Sequence, residues 1–143
     1  MKFKYALIFI LLIIFEICLL NKGFYSISAD EAGHTIDAWR LYRGDYSLYS
    51  LWLPFMKVFF GLLFHLNPEI FWFPRIVSML FSCGLVYILM MISKELFNEQ
   101  TAVLTGYLSI SFIGVVVFGV LPLTEIYFFF FLVLSIYLFV RLK

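Results

Sequence analysis

The chain has 143 residues, of which 64% are hydrophobic and 13% charged, and its formal net charge is +1. A soluble domain is roughly half apolar and about a quarter charged. The excess of apolar residues therefore predicts an integral membrane protein, with the lipid bilayer as its solvent. The near-neutral charge gives no electrostatic basis for binding nucleic acid.

The first predicted element is a transmembrane helix near residues 5–20, close to the lower limit of about 17 residues for a spanning helix. Lys2 and Lys4 precede it, which favours a cytoplasmic amino terminus. A cleaved signal peptide stays open as an alternative, although the apolar segments downstream favour a retained anchor. Glu16 is expected near the outer end of this helix, where it reaches lipid headgroups or pairs with a cation.

The predicted outer loop, residues 21–75, contains the longest polar interval, residues 28–46, which holds four of the nine acidic residues. Its middle predicts an amphipathic helix on the extracytoplasmic membrane surface. At 100° per residue, one face carries Asp30, His34 and Asp37, and the opposite face carries Ala32, Ile36 and Trp39. Residues 51–66 are apolar but short, so they predict an interfacial or re-entrant segment rather than a span.

Three further spans are predicted near residues 76–92, 102–121 and 123–140. If residues 51–66 do not span, the basic residues Lys94, Arg141 and Lys143 lie in the cytoplasm with the amino terminus, as the positive-inside rule favours. The resulting fold is an all-helical, four-span membrane domain with both termini cytoplasmic. This topology also places Glu125 on the same side as Asp30 and Glu31.

Asp30 and Glu31 are the strongest candidates for catalysis, because a carboxylate pair at the mouth of a membrane cavity can act as a general base or hold a divalent cation. The alternative is structural: Ser28 and Glu31 match a capping box, and Asp30 then favours the positive end of the helix dipole.

Other polar residues of the same region have two interpretations each. His34 follows Asp30 by one helical turn and could bind a ligand or metal, but a solvated surface histidine is the simpler interpretation. Arg40 and Arg43 could bind a lipid phosphate or extend to headgroups. Glu125 either supports a cavity beside the outer loop or sits at a helix start for electrostatic reasons.

Several short motifs follow one another along the chain: Asp30-Glu31, Gly44-Asp45-Tyr46, Arg75-Ile76-Val77-Ser78, Lys94-Glu95-Leu96-Phe97 and Leu123-Thr124-Glu125. Their order resembles the amino-terminal part of the GT-C glycosyltransferases, especially the branch of protein O-mannosyltransferases and bacterial aminoarabinose-lipid transferases. Such enzymes transfer a sugar from a polyprenyl-phosphate carrier to an acceptor on the outer membrane face.

The resemblance implies a hexosyl- or pentosyl-transferring enzyme in the cell membrane. Asp30, with Glu31 beside it and Glu125 in support, would take the proton of the acceptor hydroxyl. His34, Arg40 and Arg43 would contact substrate, and cations would stabilise the leaving lipid phosphate. No cofactor follows with certainty, and a divalent metal is left open.

Two departures from the family are visible. Many relatives carry His-Pro-Pro or Lys-Pro-Pro after the first helix, where this chain has Leu51-Trp52-Leu53-Pro54. GT-C enzymes also have many more spans, so the chain is expected to be a fragment that is inactive without the remainder of the enzyme.

The main alternative is a small non-enzymatic membrane protein that packs against a larger partner. A transporter half is disfavoured, because no predicted span is broken by Gly or Pro at mid-membrane.

Overall fold

A computed structural model describes residues 2–22, 29–46 and 54–142. These residues form seven helices and no strand. The helices are α1 (Lys2–Asn21), α2 (Ala29–Tyr42), α3 (Pro54–Leu63), α4 (Trp72–Leu96), α5 (Glu99–Ser111), α6 (Ile113–Val120) and α7 (Thr124–Arg141).

Three of these helices, α1, α4 and α7, are long and apolar enough to cross a membrane, and α5 with α6 makes a fourth span if the two count as one. The structure thus confirms an all-helical chain with three to four helices suited to a membrane. The first and second of these helices extend beyond the predicted residues 5–20 and 76–92.

The predicted span at residues 102–121 is not one straight helix. α5 ends at Ser111, α6 begins at Ile113, and their axes differ by 63°. Phe112 between them has φ −79° and ψ 108°, which is extended rather than helical backbone. The prediction of one continuous helix over residues 102–121 was therefore wrong. Phe112 itself is neither glycine nor proline. Ser109 and Ser111, just before the break, donate to the carbonyl oxygens of Thr105 and Tyr107, and such hydrogen bonds often bend helices.

α4 is the central helix of the bundle. On one side it packs with α2, α3 and α7 around an aromatic core that contains Phe60, Phe64 and Tyr127. On the other side it packs with α1, α5 and α6 around an aliphatic core that contains Ile8, Leu12, Val86 and Met90. Two half-bundles therefore share one long helix.

α3 is a ten-residue helix that packs against α2. At 1.5 Å per residue it is about 15 Å long, roughly half the thickness of the hydrocarbon region. Gly61 allows the close approach of the two helices. A Cβ at this position would lie 2.7 Å from Leu41 Cδ2 and 3.3 Å from the Ala38 carbonyl oxygen. The length of α3 agrees with the predicted short segment, whose residues 51–53 lie outside the described part of the chain.

Glu69 fixes the start of α4. Its carboxylate accepts hydrogen bonds from the backbone N–H groups of Phe71, Trp72 and Phe73, at 2.8, 2.5 and 2.7 Å. These are donors that the first turn of a helix cannot pair internally, and a carboxylate also suits the positive end of the helix dipole. The cap holds the first turn of α4, and with it Arg75, in a defined position.

Candidate functional site

The candidate site forms where α2 meets the starts of α4 and α7. Two side-chain contacts define this meeting point: Glu31 of α2 binds Arg75 of α4, and His34 of α2 contacts Thr124 of α7. Below it, the hydroxyl oxygens of Ser78 and Tyr127 lie 2.6 Å apart and join α4 to α7. Polar contacts thus hold three helix starts together above an aromatic core.

Glu31 and Arg75 form a buried ion pair, with side chains 3% and 1% exposed and 2.5 Å between Oε1 and Nη2. The guanidinium also donates through Nη1 to the Phe71 carbonyl oxygen at 2.8 Å and stacks 4.0 Å from the centre of the Phe71 ring. A buried charge needs such partners to offset its lost hydration. Glu31 is therefore part of the packing between α2 and α4. The predicted capping box also needs Ser28, which lies outside the described residues.

His34 is buried, with 5% of its surface exposed, and its Nε2 lies 3.3 Å from Thr124 Oγ1. The expectation of a solvated surface histidine was wrong, because the face of α2 that carries Glu31, His34, Thr35 and Ala38 packs inward. Burial lowers the pKa of His34, against the opposing effect of the negative charges of Asp30, Glu125 and Asp37. His34 is thus a buried imidazole on which three carboxylates act electrostatically.

Asp30 and Glu125 have exposed side chains at the starts of α2 and α7. Both act electrostatically on His34, so the structure brings them to the same histidine from two different helices. Of the adjacent residues Asp30 and Glu31, only Asp30 is accessible to a substrate, because Glu31 is buried in its ion pair with Arg75.

Arg40 and Arg43 lie away from Asp30, toward the other end of α2. Ten residues separate Asp30 from Arg40, which is about 15 Å along a helix. Arg40 is 61% exposed and lies 3.8 Å from Asp37, while the Arg43 guanidinium lies 6.0 Å from the centre of the Trp39 ring. The structure does not bring these two predicted substrate-binding residues to the carboxylates. The cation that pairs with Glu31, the neighbour of Asp30, is instead the buried Arg75.

No three His, Cys, Asp or Glu side chains among residues 2–22, 29–46 and 54–142 are arranged to hold a metal ion. A divalent metal at this position would need donors from elsewhere.

An apolar groove of about 380 Å³ starts at the same place and follows the outer side of α7. Its lining residues are Phe55, Thr124, Tyr127, Phe128, Phe131, Leu132 and Ser135. Thr124 both contacts His34 and lines the groove, so the polar site and the apolar groove share a wall. The groove therefore has apolar walls along α7 and a polar end at Thr124.

The opposite end of the bundle carries a different set of charges. Lys94 and Glu99 form an ion pair at 3.0 Å in the turn between α4 and α5, and Lys4 of α1 lies at a pocket with Glu99. Lys4 and Lys94 therefore lie at the same end of the bundle. The candidate site lies at the other end of α4.

Arg75, Thr124 and Tyr127 were not among the predicted site residues. Arg75 carried the clearest signal, because an arginine four residues into an apolar span must find a buried partner. The identity of its partner, Glu31, depends on tertiary packing and cannot be predicted from spacing along the chain.

No protein-family model, curated protein or solved structure matches the chain. The resemblance to the GT-C glycosyltransferases therefore rests on the short motifs alone.

Proposed function

We propose that the chain is the amino-terminal portion of a membrane glycosyltransferase of the GT-C type. It would act with the remainder of the enzyme to move a sugar from a polyprenyl-phosphate carrier to an acceptor on the extracytoplasmic face. The observation that carries this proposal is the meeting of an accessible carboxylate, Asp30, and the mouth of an apolar groove at the His34–Thr124 contact.

The roles follow from the chemistry of each group. Asp30 takes the proton of the acceptor hydroxyl as the new glycosidic bond forms, while the bond between the sugar and the carrier phosphate breaks and the lipid phosphate leaves. The groove along α7 holds part of the polyprenyl chain, which puts the carrier phosphate near the starts of α2 and α7. Glu31 and Arg75 keep α2 in position and do not touch substrate, because the pair is buried. Glu125 orients the acceptor beside Asp30.

The proposed location is the cell membrane, with four spans and both termini in the cytoplasm. Support comes from the charges at the two ends of the bundle. Lys4 and Lys94 lie at the end opposite Asp30, and basic residues close to a membrane favour the cytoplasmic side. Asp30 then faces the outside, where lipid-linked sugars are used in this family.

A second candidate is a non-enzymatic subunit that packs against a larger membrane partner. It is supported by the low burial of two helices. Only 11% of the residues of α7 that could span a membrane, and 22% of those of α1, are buried inside the bundle. The same low burial suits an enzyme whose remaining helices cover these faces. The two candidates differ in whether Asp30 is needed for chemistry.

Sugar transfer by the full-length protein that contains this segment tests the proposal. We expect Asp30→Asn to reduce the transfer rate by at least about 100-fold, the usual size of a general-base effect, with the amount of protein in the membrane unchanged. Asp45→Asn is the matched control, because Asp45 is an exposed carboxylate beyond the other end of α2. Equal rates for Asp30→Asn and the parent would exclude the catalytic role.

A photoreactive polyprenyl phosphate tests the groove separately. We expect it to crosslink to peptides from α7 and to lose this labelling in Phe131→Ala combined with Ser135→Trp, which reshapes the groove. Val140→Trp on the same helix, outside the groove lining, should label like the parent. Labelling spread evenly over all spans would favour the subunit interpretation.

A further inference from the structure

A second polar site lies inside the other half of the bundle, around Glu16 of α1. Glu16 is fully buried, with 0% of its surface exposed. Its Oε1 is 2.5 Å from Ser82 Oγ of α4, and a Cβ at Gly119 of α6 would overlap that same oxygen. The expectation that Glu16 reaches headgroups or a cation was therefore wrong, because three helices enclose its carboxyl group.

Within the described part of the chain, no cation balances a negative charge on Glu16. The ion pairs of the described residues do not include Glu16, and its Oε2 has no hydrogen-bond partner among them. The titratable neighbour on α4 is the thiol of Cys83, and α6 carries no ionisable side chain. A carboxylate without a counter-ion in an apolar interior takes up a proton instead of staying charged.

The hydrogen bonds of Ser82 point the same way. Ser82 Oγ is 2.9 Å from the Met79 carbonyl oxygen as well as 2.5 Å from Glu16 Oε1. A serine hydroxyl has one hydrogen to donate, and a carbonyl oxygen only accepts. Both contacts are hydrogen bonds at once when Ser82 donates to Met79 and Glu16 donates to Ser82, which requires a protonated Glu16.

We propose that Glu16 is a proton-binding site in the membrane interior. In its neutral form it donates a hydrogen bond to Ser82 and thereby ties α1 to α4. Loss of the proton would leave an unbalanced carboxylate between α1, α4 and α6, and α1 would separate from the bundle so that the charge reaches water. Gly119 is part of the site, because only a residue without a side chain leaves room for the carboxyl group. The proposal is independent of the glycosyltransferase function.

Infrared difference spectroscopy of the full chain in lipid bilayers at neutral pH tests the protonation state. We expect the parent spectrum to contain a C=O band of a protonated carboxyl that is missing from Glu16→Gln, a variant that keeps the shape and a donor group. A difference confined to the carboxylate bands would overturn the proposal. If Glu16→Gln fails to fold, Ser82→Ala serves in its place: the C=O band must shift to higher frequency when Glu16 loses its hydrogen-bond acceptor, and an unmoved C=O band refutes the site.

Alkylation of Cys83 tests the release of α1. The experiment uses Cys18→Ala as the background, because Cys18 is exposed and would react first. We expect the Cys83 alkylation rate to rise with pH several-fold more in this background than in the same protein with Glu16→Gln, since the amide cannot ionise. The comparison removes the contribution of the thiol itself, which titrates in both proteins. Superimposable pH profiles would show that Glu16 does not control the contact.

Discussion

Glu31 and Arg75 join a polar helix to a long apolar one through an almost fully buried contact. Glu31 lies in the first turn of α2 and Arg75 in the first turn of α4, with 2.5 Å between their charged atoms. Because the Glu69 cap fixes the position of Arg75, the ion pair determines where α2 lies on the bundle. The position of Asp30, one residue before Glu31, follows from it.

Removing one partner of this ion pair is predicted to destabilise the fold strongly. Arg75→Met leaves Glu31 buried without its counter-ion, and such changes cost about 3–5 kcal/mol. Arg40→Met, in the exposed pair with Asp37, is expected to cost no more than about 1 kcal/mol. Reversible unfolding in detergent micelles would measure both. The double variant Glu31→Gln with Arg75→Met should recover part of the loss, and additive losses would contradict the pairing.

Stability is predicted to fall in mildly acidic solution because of His34. Burial lowers the pKa of His34 in the folded chain, so below the ordinary value of about 6.5 the unfolded chain binds the proton more readily. The contribution of the neutral imidazole is complete above that pH and is lost as the pH falls through and below it. Thermal unfolding from about pH 8 to pH 5 should show a steeper decline for the parent than for His34→Gln.

His65→Gln is the control for this experiment, since His65 is exposed at the end of α3. Its unfolding temperature should follow that of the parent at every pH. A decline that disappears in His65→Gln and persists in His34→Gln would assign the effect to the wrong histidine and contradict the prediction.

Gly61→Ala is predicted to weaken the contact between α2 and α3. The added methyl group would lie 2.7 Å from Leu41 Cδ2, and overpacking of this kind costs about 1–3 kcal/mol. Leu41→Ala in the same chain removes the closest atoms, so the second change should reduce the penalty of the first. The Ala38 carbonyl at 3.3 Å remains, and the relief is therefore incomplete. A double-mutant cycle with no coupling would show that the helices do not meet at Gly61.

Membrane orientation is open to a direct test with single cysteines in a chain carrying Cys18→Ala and Cys83→Ala. Asp45→Cys should react with a membrane-impermeant thiol reagent added outside intact cells, whereas Glu95→Cys should react only after the membrane is opened. Both side chains are exposed at opposite ends of the bundle, so the two positions report on the two membrane sides. External labelling of Glu95→Cys would reverse the proposed topology.

Composition and the lengths of apolar runs predicted the helical membrane fold, because lipid imposes both conditions on any spanning helix. Periodicity was less informative for α2. It assigned Asp30 and His34 to one solvent face, but His34 packs inward because the protein side of this helix is lined by polar partners on α4 and α7. The serines before Phe112 are a local sign of the bend. The burial of Glu16 depends instead on Ser82 and Gly119, which are distant in sequence.

The bend at Phe112 also has a consequence for the surrounding bilayer. Taken as one span, α5 and α6 contain 13 and 8 residues at 63°, which gives an end-to-end reach of about 27 Å. The 25 residues of α4 reach about 38 Å, a length that includes the polar residues Ser93, Lys94 and Glu95 near its end. The bent pair is slightly shorter than the roughly 30 Å of the hydrocarbon region, which creates hydrophobic mismatch beside it. The bilayer is thus expected to be thinned beside α5 and α6.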